Sequence, residues 1–79
     1  MMIIGFIGCG NMAQAMIGGI VESKMVNADE IIVSNPSKDK LIKVNEKWGV
    51  HITQNNLDVL QAKYIILAVK PHYFQTVIQ

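Results

Sequence analysis

The residues Met2-Ile3-Ile4-Gly5-Phe6-Ile7 form an apolar run that breaks on Gly8-Cys9-Gly10 and passes directly into a helical repeat. That junction limits the folds open to the chain more than any other feature. A strand that is apolar at every position needs cover on both faces, the situation of a central strand in a parallel sheet. Beyond the glycines, Met12, Ala13, Met16, Ile17, Ile20 and Val21 recur at spacings of three and four, which predicts a helix to about Ser23. Gly18-Gly19 inside it costs about 1 kcal/mol per glycine relative to alanine. Close packing of this helix on a neighbour would explain the pair.

The same alternation continues. Glu30-Ile31-Ile32-Val33-Ser34 reads as a second strand. Asn35 as N-cap and Pro36 at the first helical position open a second helix. Leu41, Val44 and Trp48 give that helix its apolar stripe, and Gly49 ends it. Val50-His51-Ile52-Thr53 is a short third strand, and Asn55 or Asn56 caps a brief helix through Leu57, Leu60 and Gln61. Tyr64-Ile65-Ile66-Leu67-Ala68-Val69 is the strongest strand signal, and Pro71 permits a last helix with Phe74, Val77 and Ile78 on one face. The order βαβαβαβα predicts an α/β fold, a Rossmann-like doubly wound parallel sheet of which residues 1–79 make only the N-terminal part.

Composition agrees with an incomplete domain. The chain has 79 residues, and at that size only about 60% of the unfolded surface is buried on folding. Yet 51% of the residues are hydrophobic and the mean hydropathy is +0.29. The expectation is a piece of a larger protein, or one that needs a partner surface. A single Cys excludes an intramolecular disulfide and a Cys-rich zinc site. Positive charge comes from scattered Lys without any Arg, and the net charge is +1. That pattern argues against nucleic acid as a partner. No apolar run reaches the roughly 20 residues of a membrane span. The N-terminus lacks a basic leader segment, and a cytoplasmic location is expected.

Gly8-x-Gly10-x-x-Ala13 matches the dinucleotide pattern G-x-G-x-x-G/A in its required setting, between an apolar strand and a helix. Gly8 permits the tight turn. Gly10 lets a pyrophosphate approach the backbone, and Ala13 allows close helix–strand contact. The helix start then presents unpaired N–H groups to phosphate. Asp29 and Glu30 lie about 20 residues on, where an NAD site keeps its acid, but they precede the second strand and so belong at its wrong end. The correct end carries Ser34-Asn35-Pro36-Ser37-Lys38, donors and a cation without a carboxylate. This loop favours NADP(H), with NAD as the alternative. Helix capping is the plainer job for Asn35 and Ser37, and the two jobs are compatible.

Gly5-Phe6-Ile7-Gly8-Cys9-Gly10-Asn11-Met12-Ala13 and Ala68-Val69-Lys70-Pro71 together resemble the N-terminal part of pyrroline-5-carboxylate reductases, whose loops read GFIGxGNMA and AVKP. The resemblance spans essentially the whole chain. It implies an NAD(P)H-dependent reductase that makes L-proline from 1-pyrroline-5-carboxylate. By the same resemblance Ile7, Gly8, Cys9, Gly10, Asn11 and Met12 wrap the cofactor phosphates. Asn35, Pro36, Ser37 and Lys38 lie at the adenosine ribose, Asn56 contacts the cofactor, and Ala68, Val69, Lys70 and Pro71 lie beside the nicotinamide. Some members carry an Arg where this chain has Pro36, and Lys38 is the cation available to replace it. The family's substrate residues and its helical dimerisation domain fall C-terminal to this region. They imply a homo-oligomeric parent protein, and little or no reductase activity from residues 1–79 alone.

Other side chains invite sharper readings. Lys70 follows the fourth strand and is placed to meet a phosphate or the nicotinamide; a solvated Lys is its plainer reading. Cys9 has no His or acid paired with it in sequence and is read as a spacer, not a nucleophile. His51 is read as structural, His72 as solvated, and Met12 and Met16 as core and cofactor-edge packing. No residue is assigned a catalytic or metal-binding role. Rival readings are another NADP-dependent reductase or hydroxyacid dehydrogenase with a similar N-terminal domain, and a non-catalytic NADP-sensing module.

Overall fold

Strands β1 (Ile4–Ile7), β2 (Ile31–Ser34), β3 (His51–Thr53) and β4 (Tyr64–Leu67) pair in parallel, in the order β3-β2-β1-β4. They belong to a computed structural model that describes residues 2–68. Helices α1 (Asn11–Ser23), α2 (Lys38–Trp48) and α3 (Asn56–Val59) and a 3-10 turn at Ala28–Glu30 connect them. Val69, Lys70, Pro71, His72 and the helix expected after them lie outside the described residues.

Strand alternation sorts the side chains onto two faces. Phe6, Ile31 and Val33 point into a core shared with Ala13 and Ile17 of α1 and Leu41 and Val44 of α2. Ile7 and Ile32 point the other way, against Val59 and Ala62 beside α3. The sheet is therefore covered on both sides, as the unbroken apolar strands require. Gly5 of β1 faces α3 at a distance only glycine allows, because a Cβ there would collide with Val59 Cγ1.

Several boundaries differ from the sequence reading. Glu30 is not part of β2. Its carboxylate accepts the Asn27 N–H at 3.1 Å in a capping box around the 3-10 turn. The second helix starts at Lys38, not at Pro36, and its N-cap is Ser37 rather than Asn35. The reason is local: the Asn35 N–H donates to Thr53 O at 3.2 Å and so extends the β2–β3 ladder. Ser37 Oγ then accepts the Lys40 N–H. The third helix stops at Val59 and leaves Leu57 and Leu60 largely exposed. Met12 and Met16, read as packing residues, are also exposed, because the buried stripe of α1 runs through Ala13, Ile17 and Gly18. Strand β4 is apolar yet half exposed, since it pairs with β1 along one edge and with no other described residue along the other.

The two mid-helix glycines are not equivalent. A Cβ on Gly18 would stand 3.0 Å from Trp48 Cζ2, so helices α1 and α2 touch there. A Cβ on Gly19 would meet nothing within 4 Å. Gly19→Ala is expected to stabilise the chain by about 0.5–1 kcal/mol through helix propensity. Gly18→Val is expected to cost about 1–3 kcal/mol through overpacking against Trp48. Denaturant midpoints of the two variants, measured side by side, check both signs.

Candidate functional site

β1 lies between β2 and β4, where strand order reverses; ligands of open α/β sheets bind at the carboxyl end of the strands at such a point. At this end Ile7 is in register with Ser34 of β2 and with Leu67 of β4. Two hydrogen bonds carry the pairing just past the strands. Gly8 N–H donates to Ser34 O at 2.7 Å, and Ala68 N–H donates to Ile7 O at 2.8 Å. The glycine turn, the end of β2 and Ala68 thus share one edge of the sheet.

Gly8 has φ 102°, a left-handed conformation that glycine adopts without strain. Gly10 differs. Its φ of −72° suits any residue, and a Cβ on it would meet nothing within 4 Å. Among the described residues neither a positive φ nor close packing requires a glycine there, beyond its tolerance as an N-cap. It is also the N-cap of α1, where it offers no side chain to the free N–H groups of the first turn, and no carboxylate lies in that turn. The other two helices are capped by Ser37 and Asn55. Among the described helices the one uncapped start is the one with open space before it. A helix start of this kind can receive an anion from outside the protein.

The surroundings are cationic and amide-rich. Lys40, which the sequence reading passed over, lies close enough to Cys9 to act electrostatically on its thiol. Gln14 Nε2 donates to Cys9 O at 2.9 Å and braces the turn from within α1. Gln54 Nε2 donates to Pro36 O at 3.0 Å and ties the β2–α2 loop to the end of β3. A pocket of about 170 Å³ opens beside that loop, lined by Lys38, Leu41, Ile52, Thr53 and Gln54. Thr53, the last residue of β3, and Gln54 just after it were not named as site residues from the sequence; their only signal was their place at a strand end. Asp29 and Glu30 sit before β2, at the far end of the sheet.

Of the residues named from sequence, the structure brings Ile7, Gly8, Cys9, Gly10, Asn11 and Met12 together in the turn and the first turn of α1. Asn35, Pro36, Ser37 and Lys38 form the neighbouring loop, and Asn56 joins the end of β2 through Ser34. His51 is an exposed residue opening β3. Among the described residues no group of three His, Cys, Asp or Glu side chains could hold a metal, and no helix is long and apolar enough to cross a membrane.

Comparison with known proteins gives a consistent picture. Residues 3–79 match the family described as NADP oxidoreductase, coenzyme F420-dependent. The chain is 42% identical over 69 residues to the pyrroline-5-carboxylate reductase of Escherichia coli strain K12, covering 86% of this chain and 26% of that protein. It is 44% identical over 77 residues to pyrroline-5-carboxylate reductase 3 of Danio rerio, covering 96% of this chain and 26% of that protein. A solved pyrroline-5-carboxylate reductase from Coxiella burnetii superposes with a TM-score of 0.87 at 44% identity, over 94% of this chain and 27% of that one. The chain spans about a quarter of the length of these relatives.

Cys9 is fully buried. Desolvation pushes its thiol above the ordinary value, and the Lys40 cation offsets only part of that. A protonated, inaccessible thiol is a poor nucleophile. Because its folded pKa lies above its unfolded one, its contribution to stability is complete below the unfolded value. The contribution is lost as pH rises through the folded value. Iodoacetamide is expected to label Cys9 slowly in the folded chain and rapidly in denaturant, as mass spectrometry would read. Cys9→Ala is expected to flatten the alkaline limb of the stability curve.

Proposed function

We propose a function that proceeds from one fact: the chain belongs to the family described as NADP oxidoreductase, coenzyme F420-dependent, and is homologous to the N-terminal NAD(P)-binding domain of pyrroline-5-carboxylate reductases. On that premise residues 1–79 are the cofactor-binding part of a reductase that converts 1-pyrroline-5-carboxylate to L-proline. The observation that carries the reading is the uncapped start of α1 behind Gly10, with space kept open where a Cβ would stand. The chain's match to only about a quarter of its relatives' length supports a protein that continues beyond these residues. The substrate half and a dimerisation surface belong to that continuation, and the parent protein is a cytoplasmic homo-oligomer.

Each residue then has a task. The N–H groups of Asn11, Met12 and Ala13 at the start of α1 bind the pyrophosphate, with Ile7, Gly8 and Cys9 shaping the turn. Asn35, Pro36, Ser37 and Lys38 take the adenosine ribose. Lys38 and Lys40 supply positive charge there, and the β2–α2 loop carries no acid before Asp39. This favours a 2′-phosphate and hence NADP(H) over NAD(H). Leu41 and Ile52 give the adjoining pocket an apolar floor suited to adenine. Asn56 contacts the cofactor from the α3 side, and Ala68 faces its nicotinamide half. Val69, Lys70 and Pro71 join Ala68 there by their sequence resemblance. When bound, the nicotinamide supplies a hydride to a carbon–nitrogen double bond. The chain's own part is to hold it in place, which is a large share of what hydride transfer needs.

Titration of the chain with NADPH and NADH, followed by nicotinamide fluorescence, is expected to give tighter binding of NADPH. Tighter NADH binding would overturn the assignment of the Asn35 to Lys38 loop. Gly10→Val is expected to keep the chain folded at a modest cost to the α1 cap, since a Cβ there meets no described protein atom within 4 Å, while weakening NADPH binding at least about tenfold by obstructing the pyrophosphate. Proline formation by the longer protein, assayed with 1-pyrroline-5-carboxylate, tests the substrate.

A further inference from the structure

Ser34 ends β2 and is the one fully buried polar residue among those described. Its two polar ends do different things. Its carbonyl accepts the Gly8 N–H at 2.7 Å and so holds the glycine turn. Its hydroxyl donates to Asn56 Oδ1, also at 2.7 Å. Phe6 O stands 3.5 Å from the same hydroxyl, at the limit of a hydrogen bond. This geometry decides which way the Asn56 carboxamide faces. With the amide reversed, its nitrogen would donate to Ser34 Oγ, and the buried hydroxyl proton would be left with only the distant Phe6 carbonyl. A buried donor without a good acceptor is clearly unfavourable. The oxygen therefore stays inward. The Asn56 amide N–H groups, which donate to none of the described residues, are left for the exposed side.

We propose that Ser34 is a positioning residue: it locks the Asn56 carboxamide with its oxygen toward the sheet, so that the NH2 group serves as a fixed donor to an acceptor oxygen of the bound dinucleotide. This rests on the nucleotide-binding reading above. One buried residue then sets both the glycine turn, through its main chain, and the facing donor, through its side chain. The distance between them cannot vary independently of β2. The ligand group is a phosphate or ribose oxygen, since an NH2 donor pointed outward selects an acceptor.

The test is a double-mutant cycle in NADPH affinity on the 79-residue chain, with thermal midpoints recorded for every variant. Ser34→Ala and Asn56→Ala are each expected to weaken NADPH binding about three- to tenfold, the range for one lost hydrogen bond. The double variant is expected to bind no more weakly than Asn56→Ala alone. Asn56→Asp keeps an oxygen for the Ser34 hydroxyl but turns a second oxygen outward, so it is expected to bind NADPH more weakly than Asn56→Ala does. A Ser34→Ala variant that melts lower but binds NADPH normally would reduce Ser34 to a structural role and overturn the proposal. So would a Ser34→Ala effect of equal size with and without the Asn56 side chain, or an Asn56→Asp variant that binds like the parent. Failure of the parent chain to bind either NADPH or NADH would overturn the nucleotide reading, and this inference with it.

Discussion

Strand β1 is hydrogen-bonded along both edges and packed on both faces, and the rest of the molecule is arranged around that confinement. Its side chains divide between two cores, and Gly5 lets α3 approach where a methyl group would not fit. A strand so enclosed cannot drift in register, because a slip of one residue would swap its two faces. The chain must also leave it sharply. With β2 on one side and β4 on the other, the only exit is over the end of the sheet, and Gly8 makes that turn with a backbone angle that other residues resist. The position of the candidate site is thus a consequence of burying Phe6 and Ile7.

Polar side chains around the turn fall into two groups. Ser37 and Asn55 satisfy the starts of their own helices; Gln14 and Gln54 brace loops; Glu30 closes a capping box at the opposite end. These groups are spent on the protein. The start of α1, the amide N–H groups of Asn56 and the Lys38 and Lys40 cations have no such internal employment among the described residues. A site made of what the fold leaves unsatisfied needs little rearrangement to receive a ligand, and so loses little affinity to ordering.

Much of this was legible in the sequence. Apolar strands without polar breaks announced a sheet covered on both faces, and the glycine pattern located the turn. Gly49 marked the end of α2, where it takes φ 75°. The start of α2 was misplaced because Asn35-Pro36 is itself a good helix opening, and only the bond from Asn35 to Thr53, a partner 18 residues away, decides otherwise. Core packing by Met12 and Met16 was misjudged because helical spacing shows which residues share a face but not how wide the buried stripe is. The roles of Ser34 and Lys40 were invisible for a related reason. A buried hydroxyl and a charge that reaches a neighbouring loop are set by tertiary placement, which local pattern does not encode.

The half-exposed flank of β4 bears on how far events at the two sides of the sheet stay separate. Paired strands lie about 4.8 Å apart, so anything seated along that open edge stands only about 10 Å from the glycine strand. The link between them is short and stiff: Ala68 N–H to Ile7 O, then directly into Gly8. On the opposite side β2 and β3 stand in the way. Among the described residues the glycine strand is therefore separated from one flank of the sheet by a single strand and from the other by two.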